Sequence, residues 1–289
     1  MYKCYLCDYE GDMKIKSNVA GRDIVACPNC KLEFIYNQPS FDEIKNIYSN
    51  EYYKSWGMED GENNEVALMK KSTFRNMLKK ILPYKKSGNI LDIGTASGFL
   101  LEEAKKIGFE PYGVELSEYS SSIAKQKFGN DRIHNGTIET SNFPEIFFDL
   151  ITMTDLLEHI QKPIEMLEIC HKMLKQYSTG GGYIMITVPD TYSFTHNIMR
   201  SKWTQYKLEH LFYFNKNNFE IMAKNTGFEI IYMKPAVKTM TLRYIRNQFN
   251  IYKLFPLTQI FNIVNHIPII NTLRFNITLG ESLVILKKV

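Results

Sequence analysis

The stretch "NILDIGTASGFL", residues 89–100, decides the fold. Asn89 to Ile93 read as a buried strand, and Phe99, Leu100, Ala104 and Ile107 give the next segment a helical apolar face. Between them Gly94, Ala96, Ser97 and Gly98 keep the side chains short where the chain turns. Such a turn lets backbone N–H groups and a helix N-terminus approach a ligand closely. Outward from it, strand-like and helical segments alternate: "PYGVEL" before "SEYSSSIAKQKFG", "DRIHNG", "FFDLITMTD" before a helix over 163–176, then "GGYIMITVP", a long loop, "NKNNFEIMAKNTG" and "FEIIYMK". This alternation predicts an α/β fold with a mostly parallel sheet covered by helices on both faces. The final "ESLVILKKV" is strand-like but follows no simple crossover helix, so an antiparallel entry at or near a sheet edge is expected.

Open sheets of this kind bind ligands beyond the carboxyl ends of their strands. Asp92, the turn Gly94 to Gly98, and Glu115 at the end of "YGVEL" all fall on that edge. A carboxylate at the second strand end can accept hydrogen bonds from both hydroxyls of a ribose. Taken singly, small residues also relieve helix–strand crowding and a strand-end glutamate is a common surface charge. Together they favour a nucleoside cofactor.

Four of the five cysteines stand in "CYLC" (Cys4, Cys7) and "CPNC" (Cys27, Cys30). Two C-x2-C pairs can supply four thiolates to one tetrahedral zinc at about 2.3 Å, which leaves no position for water or substrate and makes the role structural. An iron centre or redox thiols are the alternatives. Cys170, in the helical "IEMLEICHKML", reads as a buried helix residue. Residues 1–45 carry six Lys/Arg against seven Asp/Glu, whereas 234–289 carry eight Lys/Arg against Glu281 alone. A slightly acidic head with scattered aromatics argues against nucleic acid as its partner.

The chain has 289 residues, 44% hydrophobic and 23% charged, enough to bury a substantial core. The opening "MYKCYLCDYEG" lacks an apolar signal core and no run of 18 apolar residues occurs, so a cytoplasmic protein with reduced thiols is expected. The organisation read from the chain is a zinc-ribbon-like module over 1–40, a linker and lead-in helix over 41–88 with the helix at Glu65 to Leu82, and a cofactor-binding domain over 89–289. A helical insertion falls at about 241–279.

Residues 60–235 resemble the class I S-adenosylmethionine-dependent methyltransferases. "ILDIGTASG" is similar to the family's glycine-rich first motif, "GVELS" to its ribose-binding strand end, "FFDLITMTDLLEHI" to its fourth strand and "GGYIMITVPD" to its fifth. "EHLFYFNKNNFEIMAKNTGFEI" resembles the segment after the fifth strand in small-molecule, quinone-biosynthesis and sugar methyltransferases. The resemblance implies a doubly wound, mostly parallel seven-stranded sheet with an antiparallel last strand, here preceded by a small zinc ribbon. It also implies S-adenosyl-L-methionine as cofactor, held by Asp92, Gly94, Thr95, Ala96, Gly98, Glu115 and Leu116, with Thr137 and Ile138 near the adenine and Asp155 at the methionyl end. Ala96 replaces a usual glycine, which is tolerable if its φ is negative.

Under that resemblance an acceptor attacks the sulfonium methyl group, and a hydroxyl or amine acceptor also needs a base. His210 is the first candidate base and His159 the second, with Tyr206 and Tyr213 beside the acceptor; each histidine has a structural reading as well. Trp203 and Phe212 line the pocket or fill core, and Tyr52 and Tyr53 close over the cofactor or dock the lead-in segment. The leading function is methyl transfer to a small molecule, most readily a hydroxyl of a sugar or nucleotide-linked sugar. The alternatives are ribosomal RNA methylation, a nicotinamide dehydrogenase and a non-catalytic cofactor-binding scaffold. In the insertion, Leu254, Leu257, Phe261 and Val264 follow helical spacing after the basic Arg243, Arg246 and Lys253. Amphipathic helices that pack or dimerise are expected there, with peripheral membrane contact as the second reading.

Overall fold

The computed structural model describes residues 2–40, 42–44, 64–176, 178, 180–251 and 273–289. β1 (Tyr2–Lys3) and β2 (Glu10–Gly11) pair antiparallel around the first C-x2-C. β3 (Lys14–Val19) and β4 (Arg22–Ala26) form a hairpin, and β5 (Glu33–Ile35) follows the second C-x2-C and pairs with β4. The lead-in helix α1 (Glu65–Leu78) is capped by Asn64, whose side chain accepts from Ala67 N. It ends at Leu78, short of Leu82, where Lys80 N and Ile81 N bond carbonyls three residues back instead of four.

Thereafter come β6 (Gly88–Ile93), α2 (Phe99–Lys106), β7 (Phe109–Glu115), α3 (Glu118–Phe128), β8 (Ile133–Asn135), β9 (Leu150–Thr154) and α4 (Pro163–Met173). The chain continues through β10 (Tyr183–Pro189), α5 (Phe194–Met199), β11 (Phe212–Tyr213), α6 (Lys216–Asn225), β12 (Phe228–Pro235), β13 (Lys238–Thr241), α7 (Leu242–Ile251), β14 (Arg274–Ile277) and β15 (Glu281–Lys288). A seven-stranded sheet runs in the order β12-β15-β10-β9-β6-β7-β8. The β8-β7-β6-β9-β10 pairings are parallel, and β15 is antiparallel to both β10 and β12. The last strand is therefore one in from the edge. Burial on both sides explains its continuous apolar run from Leu283 to Leu286.

Strand residues alternate between two cores. Leu91, Ile93, Ile151 and Met153 face one, with Leu167 and Cys170 of α4 and Phe219 of α6. Ile90, Leu150 and Met185 face the other, with Leu78 of α1, Leu101 of α2 and Ala124 of α3. The cysteine-bearing head joins the first core through Leu6, Val25 and Phe34. Its sheet runs β11-β5-β4-β3, so a strand far along the chain completes it.

The ends of the insertion pair as a ladder, Lys238 opposite Ile277 and Thr241 opposite Arg274, followed by α7. This ladder is absent from the sequence expectation of helices alone. Lys253, Leu254, Leu257, Phe261 and Val264 lie outside the described residues, as do Tyr52 and Tyr53, so most of the segment assigned to dimer or membrane contact does too. No described helix is long and apolar enough to cross a membrane.

Candidate active site

A cleft of about 770 Å³ opens over the carboxyl ends of β6, β7 and β9. One end is built by the turn between β6 and α2. Gly94 and Gly98 adopt φ of +78° and +83°, and a Cβ on Gly98 would stand 2.6 Å from the Phe128 ring, so glycine is required there. Ala96 also has a positive φ, +47°, which corrects the expectation of a negative one. The turn is held in this shape by Glu115: its Oε2 accepts from Ala96 N at 2.8 Å and its Oε1 from Ser117 N at 2.8 Å. A carboxylate has about four lone-pair sites, so these contacts leave capacity for hydroxyl donors. Ser97 Oγ is buried in the same turn without a hydrogen-bond partner.

Asp92, Gly94, Thr95, Ala96, Glu115, Leu116, Thr137, Ile138 and Asp155 all border the cleft, while Gly98 caps α2 behind it. Asp92 is 2% exposed and accepts from Thr152 Oγ1 at 2.6 Å. Burial pushes its carboxyl up to about 7, against the Thr152 hydrogen bond. Asp155, at φ +53°, directly follows β9; its N–H donates to Thr187 Oγ1, and Thr187 donates in turn to Asp155 Oδ1 at 2.8 Å.

At the other end, Glu158 and His159 occupy a single 3-10 turn after β9, and His210 arrives from the loop before β11. The two imidazole centroids are 4.8 Å apart in an edge-to-face contact. His159 Nδ1 donates to the Glu209 carbonyl at 2.7 Å. Burial drives its pKa down to about 4, although the Glu209 carbonyl opposes this. His210 is lowered well below the usual histidine range, by burial first and then by His159 and Lys207. Burial thus disfavours the charged form of both rings. Glu158, 1% exposed, is raised well above the usual range by burial and then by Asp155.

Tyr206 and Tyr213 do not border the cleft, which corrects their placement beside the acceptor. Tyr206 donates to Glu33 Oε2 at 2.5 Å and meets His196 Nε2 at 3.0 Å. Tyr213 is fully buried and donates to the Lys207 carbonyl at 3.2 Å. Trp203 and Phe212 are core residues.

Away from the cleft, the Sγ atoms of Cys4 and Cys30 are 3.6 Å apart, as are those of Cys7 and Cys27, and all four lie within 4.8 Å of one another. Four sulfurs at about 2.3 Å from one tetrahedral ion stand about 3.8 Å apart, so the donor set fits a single ion.

A family model described as a methyltransferase domain matches residues 69–233. The chain belongs to that methyltransferase-domain family. Among curated relatives, the mitochondrial ubiquinone biosynthesis O-methyltransferase of Schizosaccharomyces pombe is 28% identical over 152 residues, covering 49% of this chain and 54% of that protein. The ubiquinone biosynthesis O-methyltransferase of Coxiella burnetii is 31% identical over 107 residues, covering 36% and 44%. The chain spans about half the length of the curated relatives it matches. A crystal structure of an S-adenosylmethionine-dependent methyltransferase from Thermotoga maritima aligns with a TM-score of 0.52 at 18% identity, covering 86% of this chain and 99% of that one, and shares the fold.

The cleft also carries residues that sequence reading misses. Lys238 Nζ bonds Asp155 Oδ2 at 2.9 Å and Glu281 Oε2 at 2.6 Å, and Gln205 donates to Glu281 Oε1 at 3.0 Å. Burial raises Asp155, but the Lys238 charge outweighs it and holds the carboxyl below its usual range. Lys70 of α1 borders the same cleft, lowered to about 8 by burial. Only Glu281 had a signal in the sequence, as the sole acid of the basic tail.

Proposed function

We propose that this methyltransferase domain transfers the methyl group of S-adenosylmethionine to a hydroxyl of a small molecule. The observation that carries this reading is one cleft with a strand-end carboxylate and glycine turn at one end and two imidazoles in edge-to-face contact at the other. When bound, the cofactor supplies an electrophilic methyl group. Glu115 holds the ribose hydroxyls, Leu116 and Ile138 pack the adenine, and Asp155 meets the methionyl end. The acceptor hydroxyl sits against Glu158, His159 and His210, and the His210 imidazole is placed to take its proton. The head holds a structural zinc through Cys4, Cys7, Cys27 and Cys30. The names of the two curated relatives support O-methylation of a small molecule. They lend no support to the sugar acceptor that sequence reading favoured.

The test is transfer of isotope-labelled methyl into cell extract separated into metabolite, glycan and RNA fractions. Label is expected in a metabolite. Label in RNA alone, or cofactor binding with no transfer to any fraction, would overturn the reading. His210→Ala is expected to lower kcat by about 10²- to 10⁴-fold with cofactor affinity nearly unchanged, and His159→Ala to cost less. Steady-state rates paired with calorimetric cofactor titration check both.

A further inference from the structure

We propose that Glu158, His159 and His210 form a divalent-cation site at the acceptor end of the cleft. One donor atom from each lies within 4.8 Å of the others, and all three residues border the cleft. Two polar atoms of these side chains are buried without any hydrogen-bond partner: Glu158 Oε2 and His210 Nδ1. A buried polar atom left unpaired costs on the order of 1–3 kcal/mol, so two on one wall of a cleft call for a ligand that meets both.

The surroundings of the imidazoles point the same way. The Glu209 carbonyl takes the Nδ1–H of His159, which puts that ring's lone pair on Nε2, 4.0 Å from Glu158 Oε1. His210 Nδ1 is buried without a hydrogen-bond partner. A backbone carbonyl fixing the second nitrogen is the usual outer shell of a metal-ligating histidine. Lys238 forms its ion pairs with Asp155 and Glu281 and not with Glu158. Ligand atoms around a first-row ion at about 2.0–2.2 Å stand roughly 3–3.5 Å apart, so binding draws the three donors together by about 1 Å.

Two imidazoles and one carboxylate select manganese, iron, cobalt or zinc over calcium and magnesium. Three protein ligands leave positions open toward the cleft. The matching ligand class is a small molecule whose hydroxyl has a second oxygen beside it, so that both reach the ion. Coordination lowers the pKa of that hydroxyl; its proton leaves to water and the electron pair stays on oxygen. In that state His210 is a ligand rather than a base. This use of the ion rests on the methyl-transfer reading, whereas the site itself rests on the geometry.

The experiment titrates Mn(II) into full-length protein loaded with one equivalent of zinc, which the thiolates of the head take in preference. The loss of the free-ion paramagnetic resonance signal measures binding. One saturable Mn(II) per chain is expected, weakened at least tenfold by Glu158→Gln and by His210→Ala, with melting temperature and cofactor affinity as controls. Should a variant fail to fold, pulsed resonance on the wild-type protein still decides, because imidazole ligands give a ¹⁴N coupling to the manganese. Absence of saturable binding, binding equal in folded variants, or binding without nitrogen coupling would overturn the site. Mn(II) binding with nitrogen coupling but no methyl transfer would leave the site standing and remove the transfer reading.

Discussion

Glu115 and Asp92 both border the glycine-turn end of the cleft and are held in different surroundings. Glu115 has a backbone N–H on each oxygen. Asp92 has a threonine hydroxyl and an apolar wall. Replacing Glu115 by alanine is expected to weaken S-adenosylmethionine binding by about 1.5–3 kcal/mol, through loss of two charge-assisted bonds to the ribose. Calorimetry on folded variant protein measures it, and unchanged affinity removes Glu115 from the ribose. Asp92 gives a pH signature with a definite sign. Its folded pKa of about 7 exceeds the unfolded value near 3.9, so between about pH 4 and 7 the folded state binds the extra proton. This residue's contribution to stability therefore falls as pH rises through that window. Asp92→Asn has no such proton to lose, and its stability relative to wild type should grow from pH 5 to pH 8 in denaturant unfolding. A constant difference would place Asp92 in a polar, ordinary environment. Both residues were legible in the sequence because each stands at or next to the carboxyl end of an apolar strand, which is a local pattern.

Elements were legible where burial writes a continuous pattern. The sheet strands "ILDI", "LITMT" and "YIMITVP" are apolar runs because both their faces are covered, and the alternation with helices gave the parallel order. The β13–β14 ladder was not legible, since its strands are short and its partners are separated by the whole insertion. That ladder brings Lys238 to the cleft. Glu158, Gln205, Lys238 and Glu281 meet there from four distant segments, and no window of sequence contains their relation. Replacing Lys238 by methionine leaves Asp155 and Glu281 facing each other without a cation. A loss on the order of 2 kcal/mol is expected, kept below the value for a fully buried pair because Asp155 is 47% exposed. Adding Glu281→Gln should recover part of it. A double-mutant cycle by denaturant unfolding reads this, and strictly additive losses would mean that Lys238 and Glu281 act independently.

On the scale of the whole molecule, hydrogen bonds of the described residues tie the head to the end of the cleft that carries Glu158, His159 and His210. β5 of the head pairs with β11, whose first residue is two positions after His210. Asn215 Nδ2 donates to the Lys31 carbonyl at 3.0 Å and Asn218 Nδ2 to the Cys30 carbonyl at 2.8 Å, so the N-terminus of α6 grips the second cysteine loop. Leu211 N donates to the Glu158 carbonyl at 2.8 Å, which ties the same segment to the 3-10 turn carrying Glu158 and His159. The glycine turn and Glu115 are instead braced by β6, β7 and each other. We expect an ion in the four-cysteine cluster to act on the histidine end of the cleft through β5 and β11. The Cys7→Ser, Cys27→Ser double variant, which removes two thiolates without a chelator, is expected to lose amide protection at Phe212 to Phe214 and to lower kcat by about tenfold or more. Cofactor affinity should stay within about twofold, because the β6–β7 cradle keeps its pairings. Hydrogen exchange and calorimetry on the same preparation read the two ends separately. Loss of protection spread equally over β6, β7 and β11 would show that the head stabilises the molecule as a whole and has no preferential hold on the acceptor site.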